Sequence, residues 1–329
     1  MERLLLGCFA VINQKSMKST IIESDLNRIK EYTSCTLCPR NCRVDRTSTQ
    51  GFCREKATLH VSRAALHMWE EPCISGTSGS GTVFFSGCNM GCVFCQNKKI
   101  SRGEVGKFIS PQRLVDIFFE LQEKGANNIN LVTADMFIPT VKRAIECAKD
   151  QKLKIPFLLN TASYINVETL KSLEGLIDIY LPDFKYIKNE DAIRYSRAPG
   201  YVEAAKAAID EMVRQQPGCL FWDDEQGQHL MKKGVIVRHL LMPGKVIQAK
   251  MIIKYLYEKY GDSIYISLMN QFTPNGELQD YPEIDRKVSG SEYHSLIKYA
   301  ENMGLTNGFI QVGETASESF IPNFNCEGV

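Results

Sequence analysis

The chain has 329 residues, 44% hydrophobic and 23% charged, with a formal net charge of +1. This composition suits one large α/β domain with a small appendage, or two modest domains. It argues against extended disorder away from the ends and against a charge-driven attraction to nucleic acid or an anionic membrane, and no stretch reaches the ~18 apolar residues of a membrane helix.

Cysteine is the anomaly. Twelve are present, and eight fall between residues 35 and 95. A secreted disulfide scaffold is short and spreads its cysteines across loops. Here seven of the eight form two tight groups in a long chain, with Cys73 alone between them. That grouping points to metal or cluster ligands in a reducing compartment, and the chain is expected in the cytoplasm.

At the start, Leu4, Leu5, Leu6, Gly7 and Cys8 have the look of a lipoprotein signal, but too few residues precede the cysteine for one. Residues 1–33 read as an N-terminal extension carrying a short amphipathic helix at 24–32, with Met17 as an alternative start. Residues 34–80 form a cysteine-rich segment that ends in a Gly/Ser-rich loop at 75–81. From Thr82 the texture changes, and 81–329 reads as the core domain. Strands are predicted at 82–86, 128–133, 155–160, 176–181, 234–241 and 263–269. Helices are predicted at 111–123, 138–149, 167–173, 201–215, 248–260 and 291–303, the first with Ser110 as N-cap and Pro111 in its first turn. Nearly continuous apolar strands alternating with helices specify a parallel sheet with both faces covered. Right-handed crossovers then give an open doubly wound sheet or a barrel, and both place chemistry at the C-terminal strand ends.

The loop after the first of these strands carries Cys88, Cys92 and Cys95 at Cys-x3-Cys-x2-Cys spacing, with Gly87 and Gly91 beside them. Glycines let the backbone curl around a compact inorganic body, and thiolates are natural iron–sulfur ligands. Three local ligands leave one iron open, as a catalytic zinc keeps a position open for its substrate. A structural zinc with a borrowed fourth ligand is the competing reading, but no histidine lies between Cys88 and Cys95.

This motif, with the aromatic Phe94 just before the third cysteine, resembles the radical SAM superfamily. The resemblance implies a partial (β/α)6 TIM-like barrel behind an N-terminal cysteine-rich segment. It implies a 4Fe–4S cluster that reduces S-adenosylmethionine (SAM), cleavage of the C5′–S bond, and hydrogen abstraction by a 5′-deoxyadenosyl radical. A reductant such as flavodoxin or ferredoxin is the implied partner. The stretches 128–133, 160–164, 180–185 and 237–244 are similar to a branch related to pyruvate formate-lyase activating enzymes.

In that branch Phe94 would lie near the adenine. Thr133 and Asp135 would replace the usual Gly-Gly-Glu that holds the SAM amino group, and Asn160 would take the place of a ribose-binding acid. Asp183 and Lys185 share one face, so Lys185 would meet the SAM carboxylate. Arg238 is expected as an anion holder, with His239 the alternative or a core histidine. Asn270 and Gln271 stand where activating enzymes often carry a histidine.

Ahead of the core, Cys35, Cys38, Cys42 and Cys53 complete a four-cysteine set. Zinc, an auxiliary 4Fe–4S cluster and no metal remain equal alternatives. Cys73 would cap a cluster or be a buried thiol, and Cys8, Cys147, Cys219 and Cys326 read as structural. Function then divides three ways. The first is a radical enzyme acting on a polypeptide, such as an activase of a glycyl radical enzyme. The second is the same chemistry on a small molecule, and the third a non-enzymatic iron–sulfur or zinc module.

Overall fold

The computed structural model describes residues 29–224, 227–311 and 322–329. Cys8 and most of the helix expected at 24–32 lie outside the described residues; α1 (Lys30–Thr33) holds its described end. Strand β1 (Leu59–His67) follows, then α2 (Pro72–Ser75), β2 (Ser80–Phe85), α3 (Lys98–Ser101), β3 (Lys107–Ile109), α4 (Pro111–Glu123), β4 (Ile129–Val132) and α5 (Ile138–Asp150). Next come β5 (Phe157–Thr161), α6 (Val167–Lys171), β6 (Ile179–Pro182), α7 (Asn189–Ser196), α8 (Tyr201–Gln215), β7 (Leu220–Asp223) and β8 (His229–Leu240). The chain finishes with α9 (Val246–Tyr260), β9 (Tyr265–Met269), α10 (Gly290–Asn302) and β10 (Gly308–Ile310).

The strands form one sheet in the order β10-β9-β8-β6-β5-β4-β2-β1-β3, with β7 hairpinned onto β8. From β2 to β10 every neighbouring pair is parallel, while β1 and β3 run antiparallel at one edge. The sheet does not close, so the architecture is a partial TIM-like barrel. All six expected strands are present in order. Helix α4 starts where its sequence says it should: Ser110 accepts from Arg113 N at 3.1 Å, with Pro111 in the first turn.

Alternation within each strand sorts the core into two compartments. Leu131, Leu159, Tyr180 and Val237 pack outward against the helices. Leu158, Ile179, Leu181 and Ile236 point inward, where Cys73 and Ile74 of α2 join them as a small apolar cluster. The segment between β1 and β2 therefore stoppers the barrel at the N-terminal ends of its strands. Asn128 at the start of β4 anchors it, donating to Ile74 O at 2.8 Å.

β1, on the N-terminal side of residue 80, pairs with β2 from Val61↔Phe85 to His67↔Ser80. Cys73 is a buried thiol within the apolar cluster, away from the cysteine loops.

Candidate active site

Cys88, Cys92 and Cys95 lie on the loop that leaves the C-terminal end of β2. The loop is held from several directions. Gly91 N and Val93 N donate to Ser196 O and Tyr195 O at the end of α7, both at 2.9 Å, and Asn275 Nδ2 donates to Val93 O at 2.8 Å. Gly87 begins the loop at φ +82°, and a Cβ there would meet Glu55 Cγ at 2.3 Å. Only glycine suits such a close approach in the left-handed region. Gly91 has no positive φ; its lack of a side chain leaves room for Arg197, 3.3 Å from where a Cβ would stand.

Two thiols are directly touched. Ser196 Oγ donates to Cys92 Sγ at 2.9 Å, and Met90 N to Cys88 Sγ at 3.4 Å. Burial pushes the Cys88 thiol well above the ordinary value, and that of Cys92 up to about 11 although Lys185 opposes it. As free thiols both stay protonated at neutral pH, so thiolate ligation here requires the charge of a metal centre.

The three cysteines open into a cavity of about 360 Å³, a size suited to a nucleoside-like ligand. Of the residues singled out in the sequence, Phe94, Thr133, Asn160, Asp183, Lys185 and Arg238 also line it. Phe94 is buried against Phe272, ring centroids 5.4 Å apart. Thr133 ends β4 at φ +58°, an uncommon conformation for a β-branched residue and typical of strain held at functional sites. Lys185 Nζ pairs with Asp183 Oδ2 at 2.5 Å. Burial alone would raise the Asp183 carboxyl, but Arg238 and Lys185 hold it below its usual range. Burial alone would lower Lys185, but Asp183 and Cys92 keep its ammonium above its usual range.

Two expectations meet a different geometry. Asp135 does not line the cavity: it is buried in a 3-10 turn at Asp135–Phe137, and its Oδ1 accepts from Thr161 Oγ1. Burial raises its carboxyl to about 6. Arg238 faces the lumen, but its guanidinium is already engaged. Nε donates to Asp183 Oδ1 at 2.9 Å, Nη1 to Glu70 Oε2 at 3.1 Å and Nη2 to Asn160 Oδ1 at 2.6 Å. It clamps the cavity floor together rather than offering itself to an incoming anion. His239 sits on the opposite face, with Nδ1 2.8 Å from Phe184 O, and burial lowers it to about 4.

Glu70 and Glu71 complete the floor and were missed in the sequence. Glu70 accepts from Asn130 Nδ2 at 3.0 Å, and Glu71 Oε2 is buried without a hydrogen-bond partner. Burial raises both carboxyls against the pull of Arg238. A pair of acids before Pro72 was the available signal, but with β1 unrecognised nothing placed it inside the barrel. Near the mouth, Gln271 lines the cavity and its carbonyl accepts from Gln96 Nε2 at 2.6 Å, while Asn270 Oδ1 is buried without a partner.

Cys35, Cys38, Cys42 and Cys53 line one small cavity beneath the first loop, with Arg40 and Arg46. Among the described residues no three His, Cys, Asp or Glu side chains gather as closely as a single metal ion requires. No helix among them is long and apolar enough to cross a membrane.

Residues 82–221 match the Radical SAM superfamily. An uncharacterized protein of Methanocaldococcus jannaschii, MJ0674, is 30% identical over 281 residues, covering 83% of this chain and 76% of that protein. Among solved structures, the FeFe-hydrogenase maturase HydG from Carboxydothermus hydrogenoformans overlaps 69% of this chain and 52% of its own, at 15% identity and a TM-score of 0.48. Streptococcus suis SuiB bound to precursor peptide SuiA overlaps 69% of this chain at 11% identity and a TM-score of 0.44. This chain spans about half the length of those two, 47% for SuiB. With the family match beginning inside β2 and running through the three-cysteine loop, the chain belongs to the radical SAM superfamily.

Proposed function

We propose that this enzyme holds a 4Fe–4S cluster on Cys88, Cys92 and Cys95, cleaves SAM reductively and takes hydrogen from a polypeptide, as an activase of a glycyl radical enzyme does. The observation that carries the reading is a single cavity lined by all three thiols and by the polar ends of β4, β5, β6 and β8. When bound, the cluster and SAM together supply a 5′-deoxyadenosyl radical, which abstracts the hydrogen atom.

The chain's own residues do the positioning. Lys185, beside Cys92, presents an ammonium to the SAM carboxylate, and Phe94 walls the adenine side. Asn160 is oriented by Arg238 and offers its amide to ribose hydroxyls. With Asp135 turned away, the oxygens of Thr133 are the acceptors left for the SAM amino group at the end of β4.

A polypeptide is favoured because the cavity lining runs out to β10, the last strand of the sheet among the described residues. Phe309 and Ile310 of β10 and the following Gln311 belong to it, and Ile310 is exposed. The test is anaerobic reconstitution with iron and sulfide, then SAM and dithionite. 5′-Deoxyadenosine and methionine should form in equal amounts. A fully loaded protein that makes neither refutes the reading; turnover only with an added metabolite refutes the polypeptide part.

A further inference from the structure

The four N-terminal cysteines are not a remote appendage. Cys53 O accepts from Cys88 N at 3.3 Å, so one ligand of each group is joined to the other through a single peptide hydrogen bond. The two loops are also in van der Waals contact, since a Cβ on Gly87 would come 2.7 Å from that same Cys53 oxygen.

The surroundings of the four thiols call for negative charge. Arg46 is fully buried, and among the described residues no carboxylate pairs with it; it donates to Glu55 O at 3.1 Å and also to the carbonyls of Lys56 and Met136. A buried guanidinium without a counter-charge is costly. Arg40 reaches the same cavity from the other side. Its Nε donates to Asn89 O at 3.0 Å, within the Cys88–Cys92 loop, and its Nη2 is buried with no partner. Four thiolates around a metal centre would supply the anion both cations lack.

We propose that Cys35, Cys38, Cys42 and Cys53 hold a second 4Fe–4S cluster, and that the Cys53–Cys88 contact makes it the entry point for electrons to the SAM-cleaving site. This rests on the reading of Cys88, Cys92 and Cys95 given above. Contact selects a redox group over zinc: zinc has no redox chemistry and gains nothing from a ligand bonded to the radical-generating loop. The step is a one-electron transfer. One electron enters from a low-potential protein reductant of the flavodoxin or ferredoxin class and one leaves toward the first site; no bond is made or broken at the second.

The test begins with a Cys88→Ala, Cys92→Ala, Cys95→Ala variant, reconstituted without oxygen and assayed for iron, sulfide and zinc. It should keep about four irons against about eight in the wild type. Its reduced electron paramagnetic resonance signal should not respond to SAM. A Cys38→Ser variant should show the converse: a SAM-responsive cluster remains, dithionite still drives 5′-deoxyadenosine formation, and reduction by flavodoxin is lost. Should the triple variant not fold, the iron count and reductant dependence of Cys38→Ser decide the matter alone. Zinc or no metal in the triple variant, or flavodoxin reducing Cys38→Ser as fast as wild type, overturns the proposal and leaves the first cluster's reading intact. A wild type whose only cluster ignores SAM overturns that reading, and the electron entry with it.

Discussion

Replacing Gly87 by Ala should damage stability and metal loading together. Gly87 stands at φ +82°, where an L-residue costs about 1–2 kcal/mol. The added Cβ would lie 2.3 Å from Glu55 Cγ and 2.7 Å from Cys53 O. Neither can yield cheaply. Glu55 is tied to His60 at 3.0 Å with both side chains buried, and the Cys53 carbonyl is the acceptor for Cys88 N. Forced repacking of this kind adds about 1–3 kcal/mol, for a total of about 2–5 kcal/mol. At roughly 2–4 °C per kcal/mol, the apo protein should unfold some ~4–20 °C below wild type. Gly125→Ala is the control: Gly125 has φ +84° but open space around its Cβ position, so it reports the conformational cost alone. Calorimetry on both apo variants, followed by iron analysis after reconstitution, separates the contributions. If Gly87→Ala costs no more than Gly125→Ala and loads iron fully, the tight contact between the two cysteine loops is refuted.

Arg238→Met should destabilise by about 3–5 kcal/mol, because it strands the buried carboxylates of Asp183 and Glu70; Arg238→Lys should cost less, and denaturant titration compares them. His239 titrates near 4 when folded against ~6.5 unfolded, so the unfolded chain binds more protons between those values. The His239 contribution to stability is therefore flat above pH ~6.5 and falls by up to about 3 kcal/mol as pH drops toward 4, while the raised Asp135 carboxyl works in the opposite sense over the same range. Unfolding curves at stepped pH should show that slope reduced in His239→Asn. Ser196→Ala removes the hydroxyl donated to Cys92 Sγ and should make the cluster harder to reduce; a redox titration that shows no negative shift would sink that role for Ser196.

The parallel strands were legible because a strand covered on both faces is a plain apolar run, and the loop cysteines because their spacing is local. β1 was hidden by polar residues that the fold satisfies pairwise. His60 pairs with Glu55 and stacks on Phe108 at 4.4 Å, and Ser62 Oγ donates to Phe84 O at 3.1 Å. Gly234 looked like the start of a strand, yet β8 runs through it from His229. The glycine marks a close approach instead, with Cys219 Sγ 2.6 Å from where a Cβ would be. Arg238 illustrates the other limit. Alternation placed it in the lumen, but only the fold shows that Glu70, from 168 residues away, has already claimed it.

The stopper beneath the cavity ties the two ends of the chamber together. The cysteine loop and the strand ends that line it all follow Ser80, whereas the charge of its base is set by Glu70 and Glu71 on a short insert before it. Because Glu70 shares Arg238 with Asp183 and Asn160, a change in length or sequence at residues 68–75 would be felt at the strand ends as well as at the base.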